Sequence, residues 1–297
     1  MPTLATVATE FLERPGLAPS TVRSYTTALL PLLANYGAWP ITHLDRKTLQ
    51  DYLQQLEHLS YTTHRRHQAI LQSLLNFAVE QQYLVTNPLA RLPQRKPNPN
   101  KGEHHSDQTI RYLTPDQLQV LYQATAQQPR LHCLVRLLHR TGARIAELLS
   151  LDYDQVDLQE RRFQVVGKGN KQRWCFYSPD VDESLGIYLK YYRHPEHPAL
   201  FTAQQPLTKA VSRLSYRTAY SDWRTMTQRE PQLQGLRFHD LRHTFATERV
   251  GLMGIETLRA LMGHENIQTT LRYQKVTSQR AETIAKEALT TLIQDSN

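Results

Sequence analysis

The sequence predicts a mainly α-helical chain with one small β-hairpin, folded as two domains joined by a linker. Three observations predict it. Apolar residues recur at helical spacing along most of the chain, often just behind a capping residue. The stretch RRFQVVGKGNKQRWCFY instead alternates on either side of a glycine-containing turn. The stretch ARLPQRKPNPNKGEHHSDQ fits neither pattern, because Pro93, Pro97 and Pro99 forbid regular structure. The expected layout is therefore a helical domain over 1–92, a basic linker over 93–108, and a second domain over 109–297.

In the first domain, Ser20 or Thr21 is placed to cap a helix ending near Gly37, with Pro31 expected to kink or split it. Asp45 caps the next helix, through LQDYLQQLE. Thr62 or Thr63 opens a longer one, in which Ile70, Leu71, Leu74, Leu75 and Ala78 fall on one face. Arg65 and Arg66 lie in its first turns, where the helix dipole disfavours cations. A phosphate nearby would make sense of them, and so would a solvated face.

The second domain opens with Thr114 as N-cap, Pro115 at the first helical position and Gln117 completing a capping box. Helices follow in LHCLVRLLHRTG and TGARIAELLSL, then the hairpin around Gly167–Lys171, then a helix in VDESLGIYLKYY. Further helices are expected near 206–225 and in FHDLRHTFATERV, GIETLRALMGH and NIQTTLRY. The tail RAETIAKEALTTLIQ carries one apolar stripe.

Composition narrows the function. The chain has 297 residues and a formal charge of +8, from 35 Lys and Arg against 27 Asp and Glu. That excess favours a polyanionic partner. The two cysteines, Cys133 and Cys175, sit among apolar neighbours without metal spacing, so buried free thiols are expected. No signal peptide and no apolar run of membrane-spanning length is legible, and the cytoplasm is the expected compartment.

Four segments concentrate groups suited to a phosphate: TGARIAELLSL with Arg144, GKGNKQR with Lys168, FHDLRHTFAT with His239, Arg242 and His243, and LMGHENIQTTLRYQ with His264 and Tyr273. Breaking a phosphodiester requires a nucleophile, cations on the non-bridging oxygens, and a proton for the leaving oxygen. Arginine suits the second task, and Arg144 and Arg242 are placed to clamp a phosphate. Lys168, at a hairpin tip between two glycines, is placed to donate the proton; an ordinary basic tip is the plainer reading. Lys171 and Arg173 in the same hairpin are expected to touch DNA backbone; Arg95 and Lys96 in the linker suit a tether along a phosphate backbone and, equally, a plain solvated linker. Glu147, one turn after Arg144, is a supporting residue that holds the guanidinium or an imidazole. His239 and His243 form an i, i+4 pair, but no carboxylate or cysteine set accompanies them, so no metal is expected. Tyr273 is one of 15 tyrosines, and in isolation a half-buried structural ring. Neighbouring cations would lower its pKa and make it a nucleophile.

With these segments in this order, the sequence resembles the tyrosine recombinases, or phage-type integrases. The motifs are TGARIAELLSL, GKGNKQR, HDLRH, LMGH and TLRY, and Tyr273 lies 9 residues after His264 and 31 after Arg242. The resemblance implies catalytic roles for Arg144, Lys168, His239, Arg242, His264 and Tyr273, with Glu147 and His243 in support. It implies an N-terminal core-binding bundle, SAM-like in fold, and a C-terminal catalytic domain that close on DNA as a clamp. It implies a 3′-phosphotyrosyl intermediate, no cofactor, and a homotetramer on two double-stranded DNA sites that passes through a Holliday junction. The state in solution, monomer or otherwise, stays open. The chain is most similar to minimal Xer-like or mobile-element types, with no additional arm-binding domain expected. The wording of the stretch before HDLRH favours a mobile element. Arg213 and Arg217 in that stretch join Arg65 and Arg66 as candidates for base contacts. The competing readings are a type IB topoisomerase-like relaxing enzyme, a catalytically silent DNA-binding protein, and a metal-dependent nuclease.

Overall fold

Each helix of the N-terminal part starts where a short side chain or a proline satisfies or removes the first free amides. In α1 (Leu4–Glu13), Thr3 accepts from the Thr6 amide. The computed structural model describes residues 1–103, 110–167 and 171–274. They belong to two compact units, Met1–Gln108 and Thr109–Asn297.

The first unit holds α1, α2 (Pro19–Tyr36), α3 (Arg46–Gln55) and α4 (Tyr61–Glu80). Asp45 caps α3 through the Thr48 amide at 2.8 Å. Two starts differ from expectation. α2 begins at Pro19, whose ring presets the helical φ, behind an uncapped Ala18. α4 is capped by Ser60, not by Thr62 or Thr63. Pro31 does not split α2, because Ala28, Leu29 and Leu32 around it are buried. Burial of two leucines, at about 1.5–3 kcal/mol each, offsets the roughly 3 kcal/mol cost of an internal proline. The core joins Leu4, Val7, Phe11, Leu29, Leu71 and Leu74. The proline-rich stretch is not free along its described length. Glu103 receives both Arg95 and the Tyr61 amide.

The second unit is built around α6 (Pro129–Thr141), whose Leu131, Leu134, Val135 and Leu138 are buried. It packs against α8 (Pro179–Tyr191) and α10 (Phe238–Arg249). α5 (Pro115–Thr125) begins with the Thr114–Gln117 capping box. α7 (Ile145–Ser150) leads into an antiparallel sheet of β1 (Val156–Asp157), β2 (Arg162–Val166) and β3 (Gln172–Phe176). Phe163 pairs with Cys175, and both face the core. Burial pushes the Cys175 thiol up to about 11, so it stays protonated. Residues 206–215 do not form a helix. They complete a second hairpin, β4 (Thr202–Gln204) with β5 (Val211–Arg213), and helix α9 (Tyr216–Arg229) starts only after it. Pro206 bars regular pairing at the turn, and Lys209 adopts a φ of 56°. The remaining helices are α11 (Ile255–Met262) and α12 (Ile267–Leu271). The tail helix expected over 281–292 lies outside the described residues.

Gly142 ends α6 with a φ of 63°, and a Cβ there would lie 2.5 Å from the Phe245 ring. Both conditions require glycine. Gly142→Ala should therefore cost about 2–4 kcal/mol, from left-handed backbone and overpacking together. A chemical-denaturation midpoint that does not move would contradict this packing.

Among the described residues, no helix is long and apolar enough to cross a membrane.

Candidate active site

Two helix ends build the site. The last carbonyls of a helix have no partner within it and carry partial negative charge, which suits cations. α6 ends at Gly142, whose carbonyl accepts from Arg242 at 2.5 Å. α11 ends at Met262, whose carbonyl takes the other arm of the same guanidinium. The Leu261 carbonyl, one residue earlier, accepts from Arg173 Nε at 2.9 Å. Gly263 closes α11 in the left-handed region with a φ of 61°, and a Cβ there would lie 3.0 Å from Arg173.

Arg242 is 1% exposed. Among the described residues its hydrogen-bond acceptors are those two carbonyls, and no carboxylate pairs with it. Burial first, then Arg144 and Arg173, push its pKa down to about 9, so it remains a cation at neutral pH. Arg144 caps α7 and donates to Glu147 at 2.9 Å, with its side chain 37% exposed.

Glu147 joins two arginines. It receives Arg173 through two parallel bonds of 2.9 and 2.7 Å, and the Arg144 backbone amide at 2.7 Å. Burial alone would raise its pKa; the Arg173 hydrogen bonds and the Arg144 amide outweigh that and hold it at about 2. Of the three guanidinium groups here, Arg144 and Arg173 share this carboxylate and Arg242 does not, which leaves the site short of negative charge.

α10 carries the histidines. Its residues Phe238, Leu241 and Phe245 face inward, and Asp240 accepts the Arg237 amide to start it. His239 and His243 stand one turn apart, with ring centroids 4.5 Å apart in an edge-on contact. His243 Nδ1 lies 2.8 Å from the Tyr273 hydroxyl. His264 stacks parallel to the Tyr273 ring at 6.3 Å, and its Nδ1 is held 2.9 Å from the buried Thr270 hydroxyl. Tyr273 is 3% exposed and packs with Phe245, Leu258 and Met262.

Arg144, Arg173, Gly263 and His264 line a cavity of about 600 Å³ that also meets Gly167 and Lys171 on the hairpin. Tyr273 is not among the described residues lining it.

The pKa of Tyr273 is raised, against the expectation that cations would lower it. Burial is the larger effect, although Arg242, Arg272 and Arg144 work against it. His243 and His264 are each pushed down to about 3, by burial first and then by neighbouring His239 and Arg242 respectively. His239, the most open of the three, is also lowered, by desolvation, Arg242 and Arg144. The imidazoles are therefore neutral at neutral pH.

A histidine with an ordinary value of 6.5 when unfolded and about 3 when folded binds its proton only in the unfolded chain between those values. Stability should thus fall as pH drops below about 6.5, before carboxylates such as Glu147 titrate. Thermal melts should show a lower midpoint at pH about 5 than at about 7; a flat profile would contradict neutral buried imidazoles.

The structure brings together Arg144, His239, Arg242, His243, His264, Tyr273 and Glu147. Lys168 lies outside the described residues. Several arginines expected at DNA also have intramolecular partners. Arg173 is buried against Glu147. Arg213 binds Asp152 and the carbonyls of Leu149 and Leu151. Arg95 pairs with Glu103, Arg66 reaches Ser24, and Arg65 donates to the Tyr61 hydroxyl at 3.2 Å. Lys96 and Arg217 are exposed, and exposed Lys171 faces Glu265 at 3.4 Å. The Arg144 backbone amide is taken by Glu147. Sequence reasoning missed Thr270 as the partner of His264, because a threonine in QTTL carries no signal of its own. Among the described residues, no group of three or more His, Cys, Asp or Glu is arranged to hold a metal ion.

Known proteins are similar to this chain in sequence and in fold. The tyrosine recombinase XerC of Vibrio cholerae is 26% identical over 287 residues, covering 92% of this chain and 88% of its own. XerC of Staphylococcus haemolyticus is 26% identical over 246 residues, covering 79% and 78%. Among solved structures, the Tn1549 transposon integrase in complex with circular intermediate DNA superimposes with a TM-score of 0.71 at 18% identity, over 92% of this chain and 95% of that one. A lambda integrase dimer bound to a COC′ core site gives 0.69 at 16% identity, over 91% and 95%. At such identities the structural likeness is one of fold. The profile of the phage integrase family matches residues 111–280, more than half of the chain. Those residues contain every side chain assembled around Tyr273, and the chain belongs to the phage integrase family, the tyrosine recombinases.

Proposed function

We propose that this chain is a site-specific DNA recombinase that cuts and rejoins DNA through Tyr273, without a metal. The observation that carries this reading is Arg242. It is a buried guanidinium with no carboxylate partner among the described residues, set beside Arg144 and near Tyr273. A buried cation is costly unless an anion completes it. A phosphodiester between Arg144 and Arg242 is such an anion, and both forks match its non-bridging oxygens.

The remaining roles follow from chemistry. Tyr273 attacks phosphorus and forms a 3′-phosphotyrosyl bond. An aryl oxygen is a good leaving group, so the freed 5′ hydroxyl reverses the step without outside energy. His239 and His264, neutral and close by, donate hydrogen bonds to phosphate oxygens. Lys168 supplies the proton to the 5′ oxygen. Glu147 and Arg173 fix the guanidinium of Arg144. The guanidinium groups supply the charge stabilisation that a metal supplies elsewhere. Residues 1–92 form the core-binding bundle, 93–108 the linker and 109–297 the catalytic domain. Arg65, Arg66, Lys96, Lys171 and Arg217 meet the DNA, the partner that the solved integrase complexes hold. The chain works in the cytoplasm as a homotetramer on two duplexes, through a Holliday junction.

A cognate site recovered by binding selection from random duplexes gives the test. A plasmid carrying two copies should yield recombinant circles, while a plasmid lacking the site stays supercoiled. Relaxation of any supercoiled plasmid without strand exchange would point to a topoisomerase instead.

A further inference from the structure

We infer that His243 is a catalytic residue, the base that takes the Tyr273 phenol proton during cleavage. This rests on Tyr273 being the nucleophile. Tyr273 is buried, and among the described residues its hydroxyl is partnered by the His243 imidazole, with Nδ1 at 2.8 Å. The other two histidines are engaged differently. His264 meets the tyrosine by ring stacking, with its own Nδ1 on Thr270. His239 touches the edge of the His243 ring.

The cations that face this pair are Arg237 just before α10, Arg242 on it, Arg144 at the start of α7 and Arg272 beside the tyrosine. Burial first, then His239, Arg272, Arg237 and Arg242, disfavour a protonated imidazole, so in the resting site His243 is neutral and can accept a hydrogen bond from the phenol. An arriving phosphate offsets part of that positive field. The transfer is coupled to bond formation. As Oη bonds to phosphorus its O–H bond breaks and the proton passes to Nδ1 of His243. The bond from phosphorus to the 5′ oxygen breaks, its electron pair staying on that oxygen, which takes a proton from the acid assigned above. Rejoining runs the same transfers backwards, and His243 returns the proton to the departing Tyr273 oxygen.

The test is single-turnover formation of the covalent adduct on a nicked cognate site. His243→Ala and His243→Gln should each slow it by about 10²- to 10⁴-fold. Glutamine can hold the phenol by a hydrogen bond but cannot carry its proton, which separates a base from a positioning contact. Difluorotyrosine at position 273, with a more acidic phenol, should recover at least about tenfold of the rate lost in either variant. Melting temperature and DNA binding report whether each variant is folded. Where neither folds, triazolylalanine in place of His243, nearly isosteric and far less basic, should slow the adduct in the same way. Adduct formation at the parent rate in a folded His243→Gln or triazolylalanine protein overturns the inference. So does a defect that is equal with tyrosine and difluorotyrosine. An adduct that persists in Tyr273→Phe would instead overturn the underlying assignment of the nucleophile.

Discussion

Arg242→Ala should reduce covalent adduct formation by about 10³-fold or more, while leaving DNA binding by the rest of the surface largely intact. Arg242 sits where the C-terminal ends of α6 and α11 meet, and its two contacts to Gly142 and Met262 fix the guanidinium plane. The substitution removes a preorganised cation from beside the transferring phosphoryl group. It also leaves two terminal carbonyls without their donor, which costs about 1–3 kcal/mol for each buried group. Arg242→Lys separates the two effects. It restores charge, but an ammonium cannot span both carbonyls and a phosphate with a planar fork. It should therefore recover stability more than rate. Single-turnover cleavage beside a melting curve distinguishes these outcomes.

Glu147→Ala should destabilise the second unit by about 3–5 kcal/mol, the cost of removing one partner from a buried ion pair. Arg173, with a side chain 9% exposed, would lose both parallel bonds. Arg144 would lose its side-chain partner and the acceptor for its amide. The same contacts give Glu147 its pKa of about 2 against 4.5 when unfolded. A carboxyl lowered in this way stabilises the fold above about pH 4.5, and that contribution fades as pH falls towards 2. Glu147→Gln keeps the shape and some hydrogen bonds, and should cost less. Equilibrium unfolding of the three proteins is the check. An Ala variant as stable as the parent would show that Arg173 is held by other means.

The parts of the fold set by local chemistry were legible in the sequence. The Thr114–Gln117 box, the end of α6 at Gly142 and the hairpin flanking Gly167 each rest on neighbours within a few residues, and each forms. Residues 206–215 were not legible, because polar spacing near Tyr216–Arg229 hid a turn that Pro206 and Lys209 close. The site shows the same division. The motif positions of Arg144, His239, Arg242, His264 and Tyr273 could be read, and the fold brings them together. The occupation of the arginines could not. Arg173 answers to Glu147 and to the end of α11, and Arg213 to the turn after α7, all through contacts across the chain. A basic residue in a hairpin looks the same whether it faces DNA or a buried carboxylate. The effect of burial on Tyr273 was equally hidden. The cations were visible in sequence, but the desolvation that outweighs them depends on the ring sharing a buried cluster with Phe245, Leu258 and Met262.

The most direct measurement maps the covalent bond. The protein is mixed with nicked cognate DNA in the presence of a chelator. The adduct is then digested with nuclease and protease, and the modified peptide is sequenced by mass spectrometry. Nucleophilic attack by Tyr273 without a metal predicts one modified peptide, with a 3′-phosphoryl nucleotide on Tyr273, and none from Tyr273→Phe. A nucleotide on another residue, or strand cleavage that needs a divalent cation and leaves no protein adduct, would contradict it.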